Sequence, residues 1–415
     1  MHKLALIFLF VLAFVSYEVS AQPYKTLVAP INKDTSTSLY SITLNSNEKY
    51  VIDINAPFLW FICPFPSPPV PCSSLECIQG RTYLSGLCSS SNNIYIHGRC
   101  TCTVTPVNPV TKTCAPAQLT YKDLIISWTN GKNPTNVIKF NRLSVSCAPK
   151  SLLQSLPRGT NGIAGLSWAP LALSTQLTPS NHGLTKKFAI CLPSASGARG
   201  VVFFGDGPYY LMSRTQLDVR SILSYTPLLK RDNSQEYFIG VKGISVNGKP
   251  TKIPPVAFEF DSLGHGGVQL SSVVPYTTLR SDIYRSFLYE FSMATRGIPR
   301  AKNVSPFDLC LKTNNATGWS PVGLRVPQID LELGNGKKWT IFGANSMKQI
   351  SNDVACLAFV DGGKAAQRAV VIGSYQIENN FLLFDLASST LGFSSSLLLS
   401  RTTCGNFNFN YGVGA

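Results

Sequence analysis

The chain has 415 residues, 44% of them hydrophobic and 14% charged, with a formal net charge of +15. Past the N-terminal segment no stretch approaches the roughly 18 apolar residues that span a bilayer, and none of the four histidines sits at ligand spacing, so no membrane span and no metal site is expected. The basic residues are scattered rather than blocked, which argues against nucleic acid and favours polyanionic wall polymers or acidic proteins as partners.

The first 21 residues combine a basic start, an apolar core from Leu4 to Val15 and the small-residue exit "VSA" before Gln22. That is the build of a secretory signal, and the mature protein is expected outside the cell. Twelve cysteines, all after Ala21, agree with an oxidising compartment and imply six disulfides. Eight of them (Cys63, Cys72, Cys77, Cys88, Cys100, Cys102, Cys114 and Cys147) crowd into the first half among Pro-rich connections. They are expected to staple a long insert there, with connectivity that spacing alone leaves open.

Strand-length pieces follow one another through the chain: "SLYSITL", "KFAICL", "GVVFFG", "EYFIGVKGISV" and "NNFLLFDL". They are rich in β-branched and aromatic residues and bounded by turn formers. Helical periodicity is clearest in "RSDIYRSFLYEFSMATRG", where Ile283, Phe287, Leu288 and Phe291 share a face behind Ser281 or Asp282 as cap, with Gly297 as the stop. A short helix is also expected in "APLALSTQL". The fold class is therefore mostly β with a few short helices. Its length calls for two units, residues 22–205 and 206–415.

An order repeats across those halves. "YVIDINAPFLWF" and "GGVQLSSVVPYTTL" are strands leading into turns, and each is followed later by an apolar run ending in Gly ("NGIAGLSW", "AVVIGSYQ"). This layout resembles the pepsin-like aspartic proteases, whose bilobal fold has two β-barrel-like lobes. Each lobe brings an Asp-Thr-Gly, and the two carboxylates share a proton and activate water. The resemblance aligns Asp53 with the first carboxylate, but in "DINA" instead of Asp-Thr-Gly, and places Ser271 at the second. No flap tyrosine followed by Gly occurs between Cys114 and Cys147; Tyr121, followed by Lys122, comes nearest. Proteolysis by this route is expected to be absent, with Asp53 kept as a hydrogen-bond acceptor at the lobe junction.

Further motifs narrow the resemblance: "FLWFIC", "KFAICLPS", "VVFFGDGPY", "VPQIDLEL", "ANSM", "VVIGSYQIENNFLLFDLASSTLGFS" and the tail "SRTTCGNFNF". These are similar to plant secreted pepsin relatives without protease activity. That branch holds the xyloglucan-specific endoglucanase inhibitors, the extracellular dermal glycoprotein, the basic 7S globulins and, more distantly, the xylanase inhibitors. The resemblance implies an inhibitor of microbial cell-wall-degrading glycoside hydrolases, with Arg401 of the tail plugging a groove that holds two carboxylates. The alternative is a storage protein, or one that binds peptides or acidic cell-wall polysaccharide.

A second basic contact is expected just before "VPQIDL". Arg325 lies nearer the strand than the family pattern would put it, and Pro321 falls closer to that position. Trp319 in the same loop is either an interface anchor or a partly buried packing residue. The resemblance also implies Cys310–Cys356 and Cys191–Cys404 disulfides. Sequons mark Asn303, followed closely by Pro306, and Asn315. His97 and His265 are expected to be loop and turn residues without catalytic company. The Gly-rich "FGDGPYY" leads into a turn, not a helix, so no phosphate cradle and no cofactor is expected.

Overall fold

The structure is a computed structural model and describes residues 26–64, 67–86, 88, 94–96, 99–178, 183–211, 217–231, 234–313 and 318–410. The expected signal segment (residues 1–21), His97 and Asn315 lie outside these residues. The protein is bilobal and mostly β, and a sheet shared by both halves joins them. Strand Thr26–Lys33 pairs with Gly200–Gly205, which pairs with Lys187–Cys191. That strand crosses to Phe381–Asp385, followed by Thr390–Phe393 and Ser224–Leu229, antiparallel throughout. The expected strands "GVVFFG", "KFAIC" and "FLLFD" are thus its centre, apolar on both faces and almost fully buried. At the crossing, Phe188 stacks on Phe384 at 4.6 Å, a pairing that contributes about 1 kcal/mol beyond its burial.

Above this sheet each half repeats one device. In the first, strand Glu48–Asp53 runs parallel to Thr160–Gly165, with Asp53 opposite Gly165. In the second, Val268–Leu270 runs parallel to Val370–Ile372, and the Ser271 N–H donates to the Ile372 carbonyl. The glycine closing each apolar run has a steric reason. A Cβ on Gly165 would sit 2.5 Å from the Ala56 and Phe58 carbonyl oxygens, and one on Gly373 would sit 2.5 Å from the Tyr276 carbonyl carbon. Only glycine lets the strand approach the turn so closely. The repeat read in the sequence is therefore a packing constraint in each half.

The main helix runs over Ser281–Ala294 and buries Ile283, Phe287 and Phe291. Its start differs from expectation: Arg280 holds the cap position without a side-chain cap bond, and Ser281 is already helical. The Ser281 hydroxyl is spent on Asp361 (2.6 Å) and Asp282 on Arg280 (2.7 Å). The helix also stops before Gly297, with Thr295 at the C-cap and its hydroxyl donating to the Phe291 carbonyl (2.7 Å). The second helix is a single turn, Leu173–Gln176.

Six disulfides are present. Cys63–Cys147 links the ends of two neighbouring strands; Cys72–Cys100, Cys77–Cys102 and Cys88–Cys114 knit the insert. Cys310–Cys356 lies within the second half, and Cys191–Cys404 ties the shared sheet to the C-terminal tail across 213 residues.

Candidate functional site

The two strand ends bring Asp53 and Ser271 to one cavity of about 420 Å³ between the halves. Both side chains are buried, and each caps its own turn. Asp53 Oδ1 accepts from the Asn55 N–H (2.9 Å), and Ser271 Oγ accepts from the Val273 and Val274 N–H groups (3.2 and 3.1 Å). Asp53 is thus a hydrogen-bond acceptor at the junction, as expected, and among the described residues its hydrogen bond stays within its own turn.

The crossing falls to its neighbours. The Ser272 hydroxyl accepts from the Ile54 N–H (3.1 Å) and donates to the Ile52 carbonyl (2.8 Å). In return the Asn55 amide donates to the Leu270 carbonyl (2.8 Å) and accepts from the Tyr237 N–H (3.1 Å). The first-half residue aligned with Ser272 is Ile54, which is buried and has no hydroxyl to offer. Asn55, one position later and longer, supplies the missing bridge. Two polar side chains therefore satisfy backbone groups that would otherwise be buried unpaired at a cost of about 1–3 kcal/mol each.

Burial pushes the Asp53 carboxyl up to about 6; the Asn55 N–H and Lys112 pull it down, and Glu236 pushes it up further. Glu236 is itself held by Arg368 at 2.6 Å. A proton-sharing dyad needs two carboxyls in contact; here the second position offers a neutral hydroxyl already committed to two amides. The aromatic edge of the cavity is Tyr83 of the cysteine-rich segment, not Tyr121. Tyr121 lies on strand Ala117–Thr129 beneath the Arg142 guanidinium, 4.1 Å from its ring centroid. Sequence reasoning missed Tyr83 and Lys112, which reach the cavity only because the insert's disulfides fold it back.

The expected contact residues lie elsewhere. Leu397–Ser400 forms one 3₁₀ turn, and Arg401 ends it in the left-handed region (φ 53°) with its N–H on the Leu398 carbonyl (3.1 Å). Thr402 Oγ1 donates to the Leu211 carbonyl (2.7 Å), and the Cys404 N–H donates to Asn379 Oδ1 (3.1 Å). Arg401 is exposed, and among the described residues its guanidinium has no hydrogen bond or ion pair. Trp319 and Arg325 belong to a second element, the hairpin Trp319–Ser320/Gly323–Leu324. Trp319 is 60% exposed, which removes the partly buried alternative. Arg325 is also exposed and lies over Gly318.

Hairpin and tail share an anchor. The Val322 carbonyl accepts from Ala344 N–H, and the neighbouring Asn345 amide donates to the Tyr375 and Glu378 carbonyls (2.9 Å each). Asn379, next to Glu378, holds Cys404 and receives Leu397 N–H. Beneath lies a buried ion pair that sequence reading did not find. Glu378 accepts from Lys33 and from the Tyr40 hydroxyl (2.5 Å each), and burial raises its carboxyl while Lys33 and Tyr40 lower it. These partners stand 338 and more residues apart in sequence, so no local pattern reveals them.

Of the remaining expectations, His265 closes a turn on Asp261, whose carboxylate accepts its N–H (2.8 Å) and is held below the usual range chiefly by that bond. Asn303 is exposed, and its amide donates to the Asp308 carbonyl (2.7 Å). Among the described residues no group of His, Cys, Asp and Glu could hold a metal, and no helix is long and apolar enough to cross a membrane.

These features define a class: a two-lobed pepsin-like protein whose two equivalent strand ends bring one carboxyl and one hydroxyl to the cleft. An aspartic proteinase from Irpex lacteus shares the fold alone (TM-score 0.54, 13% identity, 91% of this chain and 99% of that one). Within that class the chain belongs to the xylanase inhibitor family. The family's N-terminal domain matches residues 37–206 and its C-terminal domain residues 236–395. The chain is 38% identical over 398 residues to "Chitinase CLP" of Oryza sativa subsp. japonica, covering 93% of this chain and 92% of that protein. It is likewise 38% identical over 405 residues to "Gamma conglutin 1" of Prunus dulcis, covering 94% and 91%. Among solved structures, that titled "edgp" superposes with a TM-score of 0.84 at 36% identity over 94% of this chain and 99% of that one. Soybean basic 7S globulin superposes at 0.76 and 29% identity over 93% and 100%.

Proposed function

We propose that the protein is a secreted, proteolytically inactive inhibitor of microbial cell-wall-degrading glycoside hydrolases, endoglucanases or xylanases. Membership in the xylanase inhibitor family supports binding to glycoside hydrolases in general. The observation that carries the finer reading is Arg401: an exposed guanidinium on a held turn, with no hydrogen bond or ion pair among the described residues. A hydrolase groove offers two carboxylates, and a guanidinium binds a carboxylate through two parallel hydrogen bonds. Because the turn is tied by Cys191–Cys404 and by Asn379, little backbone freedom is lost on binding. Trp319 and Arg325, on the hairpin sharing that anchor, supply the rim. Titrating the purified protein against a panel of fungal endoglucanases and xylanases tests the reading. Competitive inhibition of at least one member is expected; a flat response across the panel overturns it.

The likeness to soybean basic 7S globulin favours a second reading, a storage or binding protein without an enzyme target. A gel of the tissue-purified protein run with and without reductant separates the two. Cleavage into disulfide-linked chains supports the second reading, and a single reduced chain supports the first.

A further inference from the structure

Beside the cleft, and separate from Arg401, lies a second concavity of about 420 Å³. Three cations line it, Lys186, Lys230 and Arg231, and among its described lining residues there is no carboxylate. The contrast with Lys187 is instructive: that side chain turns to Asp206 (3.0 Å) and Asp385 (3.3 Å), whereas its neighbour Lys186 has no ion pair among the described residues. The Lys230 ammonium sits 4.4 Å from the Trp168 ring centroid, close enough for the ring to hold it in place. Arg231 is positioned by the Gly264 carbonyl (2.6 Å).

We infer that this groove binds an anionic oligosaccharide of the uronate type. Three cations, with no carboxylate among the described lining residues, call for an anionic ligand. The hydroxyl residues Thr82, Tyr83, Thr175, Thr178 and Ser234 complete a described lining suited to sugar rings, in which the one aliphatic residue is Leu386. A peptide would need apolar side-chain pockets, and here the faces of Trp168 are taken by Lys230 and by Tyr237, 5.0 Å away. Thr82 and Tyr83 also line the Asp53 cavity, so the two concavities adjoin. This site contains none of the inhibitory contact residues and stands or falls independently of them.

The test is calorimetry on the intact protein at low salt with a galacturonate decamer, its fully methyl-esterified counterpart and polyglutamate of equal charge. Lys186→Ala/Lys230→Ala removes two exposed cations; Lys337→Ala/Lys338→Ala does the same away from the groove and controls for the net charge of +15. The expected result is binding of the charged decamer only, weakened at least about tenfold by the groove variant and little by the control. Equal weakening by both variants would overturn the site in favour of diffuse attraction. Polyglutamate binding that the groove variant abolishes would overturn it in favour of an acidic peptide, and absence of decamer binding would overturn it outright.

Discussion

The floor of the cleft and the C-terminal tail are both made by residues far apart in the chain, yet they treat their polar groups in opposite ways. On the floor everything is spent: Ser271 on two amides, Ser272 and Asn55 on backbone groups of the opposite half, Asp53 on its own turn. In the tail the backbone is equally committed, but Arg401 is left over. The committed groups of the floor contribute stability, while a held guanidinium with no hydrogen bond or ion pair among the described residues is available to a partner. Substitutions on the floor should therefore change stability and leave binding alone, and substitutions in the tail should do the reverse.

The largest effect is expected where both regions share a support. Glu378→Ala leaves Lys33 buried without its carboxylate and should cost about 3–5 kcal/mol, read as a fall in the denaturation midpoint. It should loosen the hairpin and tail as well. Breaking Cys191–Cys404 with paired alanines should cost about 2–5 kcal/mol, with the added signature that tail amides exchange faster while amides of the cleft floor keep their protection. Asn55→Ala strands the Tyr237 N–H and should cost about 1–3 kcal/mol.

Asp53→Asn should go the other way. A buried carboxyl whose folded pKa, about 6, lies above its unfolded value takes up a proton more readily when folded. Its penalty is therefore absent below about pH 4 and complete above about pH 6. The variant should gain up to about 2–3 kcal/mol at pH 7.5 and nothing at pH 3.5. A loss of stability at pH 7.5 would show that the carboxylate is needed in its charged form. Arg401→Ala should shift the midpoint least, within about 0.5 kcal/mol.

How far the sequence could be read follows from how each contact is encoded. The strands, the repeated apolar-Gly runs and the alignment of Asp53 with Ser271 were legible because each is a local pattern, and Gly165 and Gly373 show the steric demand behind it. The bridge through Ser272 and Asn55 was not legible, since its partners lie more than 180 residues apart and Asn55 looked only like the loss of a glycine. The same holds for Lys33, Tyr40 and Glu378. Tyr83 and Lys112 were hidden in an insert whose path is set by disulfides instead of periodicity. The helix cap was misplaced because Ser281 has a tertiary partner in Asp361 that outcompetes the local capping bond.

The central claim is that function has moved from the cleft to the tail. Its most direct test compares inhibition constants of the wild type, Asp53→Asn and Arg401→Ala against one hydrolase that the wild type inhibits. The account predicts that Asp53→Asn inhibits like the wild type and that Arg401→Ala is weaker by about a hundredfold or more, the scale of a buried charged anchor at an interface. Equal inhibition by Arg401→Ala, or loss of inhibition in Asp53→Asn with its fold intact, would contradict it.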